Sequence, residues 1–186
     1  SANTISGNTN GIALNTSNFA LTLENNISNN VSDGIIINEN GNTISNQIIS
    51  DNGGVGVLIN SGGNNSILSA NTISGNAIAG IDINTSDFVL IQENEIHGNS
   101  SYGIIINGVG NNISNQIIYN NGAFGVFVQS GNNNSILNNS IYGNTALGIE
   151  LAAGTNDSQQ YPELNIMYTW QDKTALPELK GGTAVS

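Results

Sequence analysis

The sequence predicts an all-β solenoid in which short strands stack coil upon coil as a single parallel β-helix. Three series of apolar residues recur about every 23 residues, and turns rich in Asn and Gly separate them. A fixed period in this range is typical of stacked repeats rather than of a globular core. β-branched residues dominate the apolar positions, and both prolines, Pro162 and Pro177, come late in the chain. Extended strands are therefore favoured over helices.

Each apolar series predicts one strand per coil. The first keeps a constant interval of 23 residues and comprises Leu21, Ile44, Ile67, Leu90, Ile113 and Ile136. The second comprises Ile5, Ile27, Ile48, Ile73, Ile96, Ile117 and Ile141. The third comprises Ile12, Ile35, Val57, Ile81, Ile104, Val126 and Ile149. Strands one coil apart are expected to pair, so about six to seven coils at ~4.8 Å each form a rod of roughly 30 Å.

The strand of the third series has the motif Gly-Ile-x-Ile-Asn. Alternate residues of a strand face opposite sides of the sheet. Ile81 and Ile83 are thus predicted to point inward, and Gly80 to supply a turn conformation that glycine allows. Asparagines at matching positions are expected to bond coil to coil as ladders. The row after the third strand is Asn15, Asn38, Asn60, Asn84 and Asn107, continued by Gln129. The row before the strand of the second series is Asn3, Asn25, Asn46, Asn71, Asn94, Asn115 and Asn139.

The chain divides into a repetitive part, residues 1–151, and a different segment, residues 152–186. Residues 11–68 match residues 80–137, three coils later, which indicates an internal duplication. The second segment contains both prolines, both lysines and the only Trp and Met. We expect it to be a cap, a linker or a donor strand.

The charge excludes several partners. The formal net charge is -11, with 13 acidic residues against two lysines and no arginine. Nucleic acid is excluded because phosphates need Lys and Arg to neutralise them. No apolar run approaches the roughly 20 residues of a membrane-spanning helix, so membrane insertion is not expected.

The repeated text of residues 71–84, Asn-x-Ile-x-x-Asn followed by Gly-Ile-x-Ile-Asn, resembles right-handed parallel β-helix repeat proteins. This group includes secreted and surface proteins, nitrous-oxide-reductase accessory proteins and polysaccharide-active enzymes. The resemblance covers residues 1–151. It implies right-handed coils and an extracellular or cell-surface location in a prokaryote. It specifies the fold and not the activity.

Candidates for chemistry are few. The β-helix lyases of this resemblance generally use Lys or Arg, and both lysines lie in residues 152–186. One coil contains three candidate catalytic or metal-binding residues, Asp82, Glu95 and His97. Glu95 and His97 are predicted to share a strand face. His97 is the only histidine and so the natural general base or metal ligand. The alternative is an exposed polar patch. No cofactor is predicted, although the loop acids leave weak Ca²⁺ binding open.

Apolar residues on the outer face of the third strand predict a contact surface. Ile36 and Leu58 are neighbours there, and Ile105 and Phe127 repeat them three coils later. Exposed apolar patches usually mark contact with a partner or with another part of the chain. Trp170, in the C-terminal segment, is the matching candidate. Whether the tail or another molecule covers this face stays open.

Three functional hypotheses follow. The first is an extracellular structural or adhesive module that self-assembles end to end into filaments, because open strand edges pair with other strands. The second is a carbohydrate-binding or carbohydrate-active β-helix, although Tyr102, Tyr119 and Tyr142 are not predicted to form one row. The third is a metal-binding accessory protein.

Overall fold

A computed structural model describes residues 2–158, which form three parallel sheets. Sheet A consists of β1 (Thr4–Ser6), β4 (Asn26–Ser28), β7 (Ile48–Ser50), β10 (Thr72–Ser74), β13 (Glu95–His97), β16 (Ile117–Tyr119) and β19 (Ser140–Tyr142). Sheet B consists of β2 (Ile12–Leu14), β5 (Ile35–Ile37), β8 (Val57–Ile59), β11 (Ala79–Asn84), β14 (Tyr102–Asn107), β17 (Val126–Ser130) and β20 (Ile149–Leu151). Sheet C consists of β3 (Leu21–Leu23), β6 (Thr43–Ser45), β9 (Ile67–Ser69), β12 (Leu90–Gln92), β15 (Asn112–Ser114) and β18 (Ser135–Leu137).

Every strand pairs in parallel with its equivalent one coil before or after it. The chain passes through sheets A, B and C in turn, and this order repeats along the described residues. The predicted parallel β-helix is therefore confirmed, with a coil of about 23 residues. A single turn of 3-10 helix, Asn156–Ser158, ends the described part.

Inward rows from the three sheets form one continuous core of mainly isoleucine side chains. The third apolar series lies as predicted, on the inner side of sheet B. The first series keeps its interval of 23 residues but does not mark equivalent positions in each coil, because coil length varies. The inward row of sheet C is Thr22, Ile44, Leu68, Ile91, Ile113 and Ile136.

The second series names the wrong inward residue at two Ile-Ile doublets, Ile48-Ile49 and Ile117-Ile118. Ile49 and Ile118 are fully buried in sheet A, whereas Ile48 and Ile117 point outward and are 51% and 45% exposed. Successive residues of a strand face opposite sides, so an Ile-Ile doublet fits two registers that differ by one residue. Burial against the other two sheets selects the second isoleucine.

A row of asparagines at the corner between sheets A and B joins the coils, and all its members except the two at the ends are buried. It consists of Asn8, Asn30, Asn52, Asn76, Asn99, Asn121 and Asn144. At each step the Oδ1 atom accepts hydrogen bonds from the backbone N–H and the Nδ2 atom of the preceding asparagine. For Asn76 these bonds from Asn52 are 3.2 and 2.9 Å long. We call this row the buried ladder.

The predicted asparagine ladders are partly corrected. On the outside of sheet B, Asn38 donates to Asn15, Asn60 to Asn38, and Asn84 to Asn60. Asn107 accepts from Ser130, not from Gln129, because the register shifts after Ile106. In the row before sheet A, Gln47 and Gln116 occupy the places expected for Asn46 and Asn115.

A glycine opens each sheet B strand because a side chain at this position would clash with its neighbours. The expected turn conformation is wrong, because the φ of Gly80 lies outside the left-handed region. A Cβ atom on Gly80 would lie 2.5 Å from Ile96 Cγ2 and 2.8 Å from the carbonyl oxygen of Gly103. The glycine row therefore lets each strand of sheet B approach both the core and the next coil.

The coil pattern continues past residue 151. The backbone N–H of Ala152 donates to the carbonyl of Val128, and that of Asn156 donates to the carbonyl of Gly131. Trp170 and most of the predicted cap, linker or donor strand lie outside the described residues.

Asn76→Ala tests the buried ladder. Its loss removes the acceptor of the Asn52 backbone N–H and of one Asn52 Nδ2 hydrogen, and Asn99 Oδ1 keeps only the backbone N–H of residue 76. We expect unfolding by urea to show a loss of about 3 kcal/mol or more. The matched control is Asn84→Ala in the same coil, where an exposed side chain donates one bond to Asn60. It should cost less than about 1 kcal/mol. Equal losses for the two variants would contradict this account.

Candidate functional site

An aromatic column lies on the outer face of sheet A. The last residue of each sheet A strand points outward, and the row is Ser6, Ser28, Ser50, Ser74, His97, Tyr119 and Tyr142. The His97 and Tyr119 rings stack with centroids 4.7 Å apart, and those of Tyr119 and Tyr142 are 5.2 Å apart. The spacing of paired strands, about 4.8 Å, allows this stacking, because it lies within the range of centroid separations at which aromatic rings stack. We call His97, Tyr119 and Tyr142 the aromatic column.

Glu95 adds a carboxylate to the aromatic column. The Tyr119 hydroxyl donates a 2.8 Å hydrogen bond to Glu95 Oε1. This hydrogen bond is the main reason that the pKa of Tyr119 is raised above its usual value. Tyr119 thus stays protonated at neutral pH and acts as a donor rather than as a base. Together these groups present a carboxylate, an imidazole and two phenols, which can exchange hydrogen bonds with a hydroxylated ligand.

Tyr102, Tyr119 and Tyr142 form no single row, as predicted, because Tyr102 lies on sheet B, but Tyr119 and Tyr142 do share a row on sheet A. Tyr119 and Tyr142 each follow an inward isoleucine directly, Ile118 and Ile141, and so face the same way. Taking Ile117 as the inward residue puts Tyr119 on the opposite face from Tyr142. The sequence signal for the column was present but was hidden by the register of the Ile-Ile doublet.

The structure separates Asp82 from the other two candidate residues. Glu95 and His97 lie on sheet A, whereas Asp82 lies on the outer face of sheet B. The charged neighbour that acts on the Asp82 carboxyl is Asp33. Within residues 2–158, no group of three or more His, Cys, Asp and Glu side chains is placed to hold a metal ion.

The predicted contact residues are neighbours on sheet B. In register from coil to coil the row reads Ile36, Leu58, Asp82, Ile105 and Phe127. Ile105 is buried in a small cluster with Val55 and Ala79, against which Leu58 and Tyr102 pack. The Tyr102 ring stacks on those of Phe124 and Phe127. From Ile36 to Phe127 the row is apolar except for Asp82, and Glu150 follows Phe127 in register.

The carboxyl of Asp82 lies in an unfavourable environment. Its Oδ1 atom is buried and has no hydrogen-bond partner among the described residues. Burial, helped by the charge of Asp33, raises the pKa of Asp82 to about 6. Such an environment destabilises the ionised form.

The comparisons with known proteins identify the family. The chain matches the family described as "Right handed beta helix region" over residues 1–115 and 68–165. It belongs to this right-handed β-helix family. The handedness expected from the resemblance is thereby confirmed. No curated protein matches the chain in sequence.

Solved structures with the right-handed β-helix fold are similar. The periplasmic alginate epimerase AlgG has a TM-score of 0.60 at 17% identity, over 80% of this chain and 42% of that chain. The A-module of the Azotobacter vinelandii mannuronan C-5 epimerase AlgE6 has a TM-score of 0.63 at 17% identity, over 80% and 56%. The Dettilon tailspike protein has a TM-score of 0.53 at 18% identity, over 79% and 40%. The chain thus spans only part of each of these proteins, and the likeness shows the fold.

No helix of the described β-helix residues is long and apolar enough to cross a membrane.

The stability of the protein should depend on the ionisation of Asp82. Its pKa rises on folding from 3.8 to about 6, so the folded state holds the proton more tightly. The free energy of unfolding should fall as pH rises from about 4 to about 6, and the penalty is complete above that range. Asp82→Asn should remove this change and stabilise the protein at pH 7 by on the order of 1 kcal/mol.

Urea unfolding at pH 4.5 and pH 7 measures this effect. Asp82→Leu, which continues the apolar row, provides an independent check, because it also removes the titrating group. If both variants keep the pH dependence of the wild type, Asp82 is not its source.

Proposed function

We propose that this β-helix binds a neutral polysaccharide along the outer face of sheet A. The observation that carries the proposal is the aromatic column His97, Tyr119 and Tyr142 with Glu95 beside it. Stacked rings present their edges to solvent, and these edges hold the imidazole nitrogens and phenol hydroxyls. Such groups donate hydrogen bonds to sugar hydroxyls and accept them, while the ring carbons contact the apolar C–H groups of a sugar.

The regular spacing of the column suits a polymer. The serines of the preceding coils continue the same row, so a hydroxyl or aromatic group recurs at each coil. The repeat distance is about 4.8 Å, the spacing of paired strands. A polysaccharide chain lying along the rod would meet similar groups at each coil, and many weak contacts along one ligand add up.

The charge of the chain favours a neutral ligand. The formal net charge is -11, and the sequence has no Lys or Arg between residues 2 and 158. An acidic polysaccharide would be repelled by this field. The neighbouring structures are named for alginate and mannuronan epimerisation, which supports a polysaccharide as the class of ligand. The absence of a cationic group on the rod argues against uronate polymers such as alginate for this chain.

The proposed ligand also supports an extracellular or cell-surface location. One neighbouring structure is named as a periplasmic polysaccharide epimerase, which supports a location outside the cytoplasm. The strand edges and turns expose Asn, Ser and Thr in place of charged residues, which gives a surface that hydrogen-bonds without net attraction to polyanions.

Affinity electrophoresis tests the proposal. Native gels would contain hydroxyethylcellulose, galactomannan or alginate, and the wild type should be retarded by a neutral polymer and not by alginate. Tyr142→Ala should weaken the retardation about five- to thirty-fold, because Tyr142 is 54% exposed and ends the column. Leu137→Ala is the matched control, because Leu137 is 56% exposed but lies on sheet C. A wild type that no neutral polymer retards would rule out this function.

A protein contact through sheet B is a second candidate function, and the apolar row around Asp82 favours it. Burial of Ile36, Leu58 and Phe127 by a partner is favourable, whereas burial of an ionised Asp82 is not. A structural or adhesive role through this face therefore implies stronger association at pH 5 than at pH 7.5. Light scattering that finds one constant mass at both values would exclude self-association through this face.

A further inference from the structure

A row of left-handed residues at the corner between sheets B and C repeats an unusual pattern. Each of six coils has a residue of positive φ at the equivalent position of this corner, and the row is Phe19, Gly41, Asn65, Phe88, Gly110 and Asn133. Backbone hydrogen bonds align the row, for example from the N–H of Phe88 to the carbonyl of Val109 at 3.0 Å. The order Phe, Gly, Asn occurs twice, with three coils in each repeat. Sequence reasoning did not find this row, because a left-handed turn predicts Gly or Asn and not Phe.

The two phenylalanines are unfavourable for stability in two ways. A left-handed conformation costs a residue with a bulky side chain about 1–2 kcal/mol, and Gly or Asn avoids most of this cost. The side chains of Phe19 and Phe88 are also 80% and 61% exposed. The backbone does not require phenylalanine, since Glu24 and Glu93 hold the same conformation in the turn before sheet A. Strain of this kind persists where it serves a function.

Each phenylalanine ring is held in place by the glycine of the next coil. The Cε1 and Cδ1 atoms of Phe19 lie 2.5 and 2.6 Å from the point where Gly41 would carry a Cβ atom. For Phe88 and Gly110 the corresponding distances are 2.7 and 2.8 Å. Any larger residue would displace the ring. The glycines thus let both rings rest on the rod while most of each ring remains accessible, so little ordering is left to occur on binding.

The asparagines of the row add hydrogen-bonding groups. Asn65 and Asn133 are exposed, and their side-chain amides make no hydrogen bond to another described residue. An amide carries two donors and one acceptor, which suits sugar hydroxyls. Every three coils therefore present one fixed aromatic ring and one free amide on the same line.

We infer that this row is a second glycan-binding site, in which Phe19 and Phe88 support sugar rings and Asn65 and Asn133 bond their hydroxyls. Three coils at ~4.8 Å separate the two platforms by roughly 14 Å along the rod. A repeating polymer can engage both, whereas a single sugar cannot. Polar residues separate the rings, so they form no continuous apolar patch of the kind that a protein partner buries. The inference rests on the proposed function for the class of ligand, but the corner lies across the core from the aromatic column.

The double variant Phe19→Asn, Phe88→Asn tests this site, because asparagine keeps the left-handed turn. Retardation in hydroxyethylcellulose or galactomannan gels should fall at least tenfold for the double variant and less for each single variant, as expected for two linked contacts. The melting temperature should stay the same or rise, since strain is relieved. Val31→Asn is the control, because Val31 is 75% exposed but lies outside the row.

Several results would overturn the inference. Unchanged retardation of the double variant, with Tyr142→Ala still weakened, would remove this site and leave the proposed function intact. A fall of the melting temperature by many degrees would show that the rings serve to cover the glycines. A lower mass in light scattering without a change in retardation would assign the rings to contacts between protein copies. If the wild type is not retarded at all, both this site and the proposed function fail.

Discussion

The buried ladder at the corner between sheets A and B is the interaction on which the rest of the structure depends. The amide of each buried asparagine bonds the equivalent residues of the adjacent coils and a strand carbonyl, as that of Asn76 does with Asn52, Asn99 and Ile49. A slip of one residue would leave buried donors and acceptors unpaired, at about 1–3 kcal/mol for each. The ladder therefore holds every coil in one register with the next, although the number of residues in a coil varies.

Constant register explains both the core and the surface. Inside, it places isoleucine on isoleucine from coil to coil, for example Ile73 on Ile96 and Ile49. Outside, it places equivalent side chains one strand spacing apart, so any residue type that recurs becomes a column. His97, Tyr119 and Tyr142 on sheet A and the Phe, Gly and Asn row at the corner of sheets B and C are two results of the same constraint. A surface built in this way is periodic along the rod, and a periodic polymer is the ligand that matches it.

The fold could be predicted from the sequence because its signals are local and repeated. Inward and outward positions alternate strictly in the Gly-Ile-x-Ile-Asn motif, and this alternation placed Ile81 and Ile83 inward and Asn84 in an outer ladder. The doublets Ile48-Ile49 and Ile117-Ile118 satisfy the pattern in two registers, and only packing against the other sheets decides between them. The aromatic column was missed for this reason. The buried ladder was missed because asparagine is so common in the chain that its composition does not distinguish buried from exposed positions.

The site was less predictable than the fold. Asp82, Glu95 and His97 are close in sequence, but the turn of the coil puts them on different sheets, and no pattern in the residues shows the environment of the Asp82 carboxyl. The left-handed phenylalanines could be found only from the backbone, since their φ angles depart from what their residue type predicts.

Hydrogen exchange of the side-chain amides, followed by NMR, tests the central claim most directly. If the buried ladder sets the register, the Nδ2 protons of Asn52, Asn76 and Asn99 should be protected as strongly as the backbone amides of the core strands beside them. The exposed amide of Asn84 should exchange much faster. Rapid exchange of the buried amides while the strand amides stay protected would contradict the account, because the coils would then keep their register without the ladder.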